Sequence, residues 1–165
     1  MTRRSWRPRL RLPRPRLPRS KAGRRRLAST AIALLLLLLW WLNSDAPRAL
    51  WPRPAILHAI RLVESSGRDD APDGDGGLAI GPFQIHEVYW RDAIAFDPSL
   101  GGDYQRCRQR RYAERVVDAY MRRHATHAWS VGDAEVIARV HNGGPHGANK
   151  AATLGYWQRV RARLP

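Results

Sequence analysis

Residues 54–67 read PAILHAIRLVESSG. Ile56, Leu57, Ile60 and Val63 recur at helical spacing, which makes one face apolar. Pro54 suits a first helical turn, where a missing N–H costs nothing, and Gly67 suits a left-handed stop after Ser65 and Ser66. The predicted helix therefore ends with Glu64 in its last turn. A carboxylate there meets the negative end of the helix dipole, which disfavours ionisation. If apolar neighbours also wall it in, such a group keeps its proton at neutral pH and can act as a general acid. The plainer reading of the same residue is a solvated helix end.

Immediately downstream, Arg68–Gly77 reads RDDAPDGDGG and is all turn chemistry. Leu78–Ile85 has extended character broken by Gly81 and Pro82, which predicts a small irregular β-hairpin. Helical periodicity returns at Tyr104 and Cys107 and continues through Ala113, Val116, Val117, Tyr120 and Met121. Asp133 is placed to cap a short helix carrying Val136, Ile137 and Val140, which runs into the turn Asn142-Gly143-Gly144-Pro145. Thr153 is placed to cap a last helix that buries Leu154, Trp157, Val160 and Leu164. The fold class is α+β, mostly helical, with one small irregular hairpin. An aspartate in that polar turn would stay ionised opposite a protonated Glu64. Glycoside hydrolysis requires such a pair, one group to protonate the leaving oxygen and one to face the cationic sugar carbon.

The formal charge of +15 looks like a nucleic-acid signature, but its distribution excludes that class. Residues 1–26 hold twelve Lys and Arg and no acid, which leaves 17 basic against 14 acidic side chains for the rest. Four prolines make this leader a poor helix and an extended, disordered cytoplasmic arm. Residues 27–42, LASTAIALLLLLLWWL, carry no charge and would span about 24 Å as a helix, short of a ~30 Å hydrocarbon core. They read as a transmembrane anchor or an export signal, with Trp40 and Trp41 at the interface and the arginines held inside. The following domain then lies in the periplasm or outside the cell, tethered or, after signal cleavage, secreted. Residues 43–53 read as a linker and residues 54–165 as the functional domain.

Cys107 stands alone, so no disulfide within the chain stabilises this exported domain. With 113 residues from Arg53 onward, a chain of this size buries about 65% of its unfolded surface, enough for a core to suffice. The six histidines form no metal-ligand pattern; His124 and His127 lack a completing partner and read as solvated. No cofactor motif is present. Ser65 and Ser66 lack the Gly-x-Ser-x-Gly context of a serine hydrolase.

Several blocks, in order, resemble the invertebrate-type lysozyme (destabilase) family. They are Ile60–Gly67, Gly81-Pro82-Phe83-Gln84-Ile85, Tyr89-Trp90-Arg91-Asp92 and Ala119–Arg123. The match is closest over Ala138–Pro145 and Thr153–Trp157. The resemblance implies a lysozyme-like fold and cleavage of the β-1,4 bond between N-acetylmuramic acid and N-acetylglucosamine in peptidoglycan. Carried over, Glu64 matches the general acid. The family's aspartate position falls on Gly74, between Asp73 and Asp75; Asp75 is preferred because Gly76-Gly77-Leu78 then keeps the hairpin frame. Asp69 and Asp70 read as solubilising the turn.

Candidate substrate contacts are Gln84, Tyr89, His141, Asn142, Gly143 and Tyr156, while Trp90 and Trp157 are expected in the core. Gln84 reads equally as a backbone clamp in the hairpin, and Asn142-Gly143 as a simple helix stop. Animal members of the family are rich in disulfides, whereas here Ser66, Ile80 and Ala148 stand near cysteine positions. If neither hairpin aspartate reached the cleft, Glu64 alone would fit a lytic transglycosylase-like enzyme or a non-catalytic wall-binding module.

Overall fold

The computed structural model describes residues 32–38 and 50–165. Residues 32–38 are helical (α1) with their leucines exposed. Among the described residues no helix is long and apolar enough to cross a membrane. The leader, and the rest of the apolar segment expected at 27–42, lie outside the described residues.

From Leu50 onward the chain folds around one apolar core. Its helices are α2 (Arg53–Ser65), α3 (Glu87–Phe96), α4 (Arg110–His124), α5 (Thr126–Val131), α6 (Ala134–Gly143) and α7 (Leu154–Arg161). Short 3₁₀ turns connect them, and β1 (Ala79–Ile80) pairs antiparallel with β2 (Ile85–His86). Leu50 bridges Asp133, and the Trp51 amide donates to the Gly132 carbonyl at 2.8 Å. The end of the expected linker is thus part of the folded body.

α2 matches its predicted span, with proline in its first turn and Ile56, Ala59 and Ile60 buried. Its left-handed stop begins at Ser66 (φ 54°), one residue ahead of Gly67 (φ 79°). α4 forms the centre: Ala113, Val116, Val117 and Met121 are fully buried, and it packs mainly on α3. The segment Tyr104–Arg108 is a separate 3₁₀ turn that lies over the hairpin tip. A side chain at Gly81 (φ 71°) would collide with the Cys107 backbone, so only glycine admits this approach. The Tyr104 hydroxyl reaches the carbonyls of Leu78 (2.9 Å) and Ile85 (2.7 Å) across the same contact.

Several expectations are corrected here. α3 and α5 are helices that the sequence reading did not assign. Asp133 does cap α6, accepting from the Val136 amide at 3.2 Å. Thr153 precedes α7 but gives no side-chain cap; its hydroxyl instead donates toward the Gly147 and Lys150 carbonyls, both at 2.8 Å. Leu154 is exposed, and Tyr156 occupies the buried face with Val160. The aromatic order is reversed: Tyr89 and Tyr156 are buried, while Trp90 and Trp157 are half-buried against the core edge. His124 is not solvated; it is half-buried and bonded to Asp92.

Candidate active site

Glu64 ends up in the last turn of α2 because the chain reverses there. The left-handed Ser66 turns the Ser66 and Gly67 amides back onto the Arg61 carbonyl. α7 packs against α2 and brings the buried Tyr156 alongside, where its hydroxyl donates to Glu64 Oε1 at 2.6 Å. The Glu64 side chain is left 19% exposed, enough to meet a ligand but too little for full solvation. Burial pushes its pKa above the ordinary value, and the Tyr156 hydrogen bond and the Arg159 charge offset this only in part. The nearby Asp75 charge adds to the rise.

His141, from α6, is the third buried group. Its Nε2 lies 3.2 Å from the Phe83 carbonyl and its Nδ1 3.3 Å from the Tyr89 hydroxyl. A carbonyl only accepts, so Nε2 carries the proton and Nδ1 accepts from Tyr89. Burial depresses the imidazole pKa to about 4, so the ring is neutral at physiological pH. With the imidazole neutral, its 3.6 Å approach to Glu64 is a polar contact and no ion pair.

Asp75 sits on the opposite side, in a turn of three left-handed residues: Asp75 (φ 47°), Gly76 (φ 66°) and Gly77 (φ 97°). A Gly74–Ala79 bridge closes this turn. Glu64 and Asp75 line one pocket of about 220 Å³ together with Ala79, Gln84, His86, His141 and Asn142. Asp73 points elsewhere, into a paired bond with the Arg108 guanidinium that holds its pKa below the ordinary value. It borders a neighbouring cavity of about 350 Å³ that also reaches Glu64.

The remaining sequence candidates divide. Gln84 lines the pocket but is used as a clamp: its amide donates to the Gly81 carbonyl (2.9 Å) and the Pro72 carbonyl (3.2 Å). Asn142 is exposed on the rim, and Tyr89 borders an adjoining groove of about 580 Å³ while stacked on Tyr120 at 3.5 Å. Gly143 does not line these cavities; it packs against Thr153, and its carbonyl accepts from Lys150 at 2.6 Å. Tyr156 is buried beneath Glu64 and offers its hydroxyl to the carboxyl, with no ring face for a sugar. Asp69 and Asp70 pair with Arg61 and Arg68.

The sequence reading missed His86, whose Nε2 lies 2.8 Å from Asp75 Oδ2, and Tyr120 and Asp92, which line the larger groove. His86 had a readable signal: it alternates with the buried Ile85 on β2 and so faces away from the core.

A helix-borne buried carboxyl facing a hairpin carboxylate, inside a helical domain with one tiny sheet, defines a lysozyme-like fold. The crystal structure of Tapes japonica lysozyme superposes with a TM-score of 0.55 at 33% identity, covering 65% of this chain and 86% of that one. Residues 57–163 match the family model described as Destabilase. The chain belongs to the destabilase family, that of the invertebrate-type lysozymes. Lysozyme 1 of Crassostrea virginica is 42% identical over 109 residues, which span 65% of this chain and 57% of the oyster protein. A lysozyme of Meretrix lusoria is 40% identical over 107 residues, spanning 64% and 84%.

Proposed function

We propose that the domain is a muramidase that hydrolyses the β-1,4 bond between N-acetylmuramic acid and N-acetylglucosamine in peptidoglycan. One observation carries this reading: a desolvated Glu64 whose pKa is raised faces Asp75 across a single pocket. Glu64 donates its proton to the glycosidic oxygen as the bond from that oxygen to the anomeric carbon breaks. The Asp75 carboxylate faces the positive charge that develops on that carbon, either stabilising it or bonding to it. Water then adds to the carbon and its proton returns to Glu64. No metal or cofactor enters these steps. The lysozyme names of the relatives support the substrate class.

The uncharged residues 27–42 behind twelve basic side chains support delivery of this domain across a membrane, as an anchor or a cleaved signal. The domain itself has 16 basic and 13 acidic side chains between residues 50 and 165, a slight positive balance that suits an anionic wall polymer.

Clearing of a peptidoglycan suspension tests the assignment. Glu64→Gln abolishes clearing while the protein still sediments with the wall; undiminished clearing refutes it. Products with intact reducing ends mark hydrolysis, and anhydro-sugars would assign a transglycosylase instead.

A further inference from the structure

We infer that His86 is a positioning residue for the second carboxylate: its Nε2–H holds Asp75 Oδ2 in the pocket that contains Glu64. This role rests on the muramidase reading above.

The turn that carries Asp75 has little else to fix it. Asp75, Gly76 and Gly77 are all left-handed, and a side chain at Gly76 or Gly77 would meet nothing within 4 Å. The Asp75 side chain is 71% exposed, and among the described residues its hydrogen-bond partner is His86, at 2.8 Å. An exposed carboxylate on so open a turn would otherwise sample many directions, at the cost of its alignment with a sugar carbon.

His86 is itself well placed to act as the holder. Ala79 pairs with His86 across the hairpin and is bridged on its other side to Gly74. The imidazole therefore reaches over Ala79 to the residue following Gly74. Its backbone is extended and leads straight into α3. The two aspartates that flank Gly74 are thus taken by different bases, Asp73 by Arg108 and Asp75 by His86. This division accounts for which of them lines the pocket of about 220 Å³ with Glu64, Gln84 and His141.

The other charges around His86 do not compete for it. Glu87 on α3 is paired with Arg91 at 2.7 Å, and Asp92 with Arg123 and His124. His141 on α6 is neutral, and Glu64 on α2 is bonded to Tyr156. A carboxylate only accepts, so Nε2 carries the proton of the bond whether the ring is neutral or charged. A neutral donor of similar reach should then serve equally well.

The test compares His86→Ala and His86→Gln on peptidoglycan, each alone and combined with Asp75→Asn. His86→Ala lowers kcat about tenfold, the low end for a hydrogen bond to a charged group, because this bond is exposed. KM changes less than about twofold, since the loss falls on alignment and not on binding. His86→Gln recovers kcat to within about threefold of the parent. Adding His86→Ala to Asp75→Asn costs less than about twofold further, because the group it positions is already gone. Parental kcat in His86→Ala, or an equal loss in the Asp75→Asn background, overturns the inference while Glu64→Gln still abolishes lysis. Should the alanine variant fail to fold, the glutamine variant decides: a rate as low as that of Asp75→Asn overturns it. If Glu64→Gln lyses walls normally, the muramidase reading fails and takes this role with it.

Discussion

His141→Gln isolates one buried titration and gives it a size. Glutamine preserves an Nε2–H near the Phe83 carbonyl but cannot bind a proton in the working pH range. In the unfolded chain the imidazole titrates near 6.5, while in the fold burial delays it to about 4. Between these values the unfolded state binds a proton that the native state refuses, so stability falls as the pH falls through this window. A gap of about 2.5 units at about 1.4 kcal/mol each gives a loss of about 3 kcal/mol, complete near pH 4 and absent above about pH 7.

The raised pKa of Glu64 acts in the opposite direction: the native state takes its proton more readily, so that group loses stability as the pH rises from its unfolded value. Subtracting the parent curve from the variant curve removes this shared contribution. Denaturant unfolding across the window provides the measurement. The His141→Gln advantage over the parent should grow by about 3 kcal/mol on acidification. A flat difference, or a parent that gains on the variant at low pH, refutes the neutral, carbonyl-bonded imidazole.

Glu64→Gln should be more stable than the parent at neutral pH, with the gain vanishing below about pH 4, because it removes a carboxyl whose ionisation the fold opposes. Thermal unfolding at two pH values checks the sign. Tyr156→Phe removes a donor that favours the charged form of Glu64 by about 1 kcal/mol more than the neutral form. The alkaline limb of the lysis profile should move to higher pH; movement to lower pH contradicts the arrangement. Asp75→Asn should depress turnover, whereas Asp73→Asn should leave it near parental, since Asp73 is committed to Arg108. Gly81→Ala should destabilise the domain by at least about 2 kcal/mol, from its left-handed backbone and the collision with the Cys107 backbone, as read by its melting temperature.

The parts of the fold legible in the sequence were those fixed by local rules. α2 follows from its apolar spacing and its serine–glycine stop, and α6 from the Asp133 cap. α3 escaped because it starts directly from β2 with no capping side chain, just beyond the Leu78–Ile85 stretch read as the hairpin. α5 is only six residues long and carries no signal beyond its neighbours. On α7 the apolar stripe pointed to Leu154 and Trp157, yet Tyr156 is the residue buried. Its hydroxyl finds a partner in Glu64, which no reading of α7 alone could supply. The same limit applies to the aspartates. Sequence narrowed the choice to Asp73 and Asp75, but the contacts that distinguish their surroundings come from Arg108, on a distant 3₁₀ turn, and from His86, on β2.

The raised pKa of Glu64 owes more to packing than to its place on the helix. The helix end alone predicted a raised pKa, but the leading cause is burial, and that burial comes from α6 and α7 closing over α2. The groups brought in by this closure, Tyr156 and His141, are both held uncharged by it. The core edge thus buries these two titratable side chains without charge to solvate, which suits a domain whose lone Cys107 leaves stability to packing. Arg159 stays at the surface over the Tyr156 ring, 5.5 Å from its centroid, and only tempers the Glu64 shift. A substitution that loosens α7 should therefore cost activity before it costs the fold. Water admitted beside Glu64 would let it ionise, and an ionised Glu64 has no proton to give.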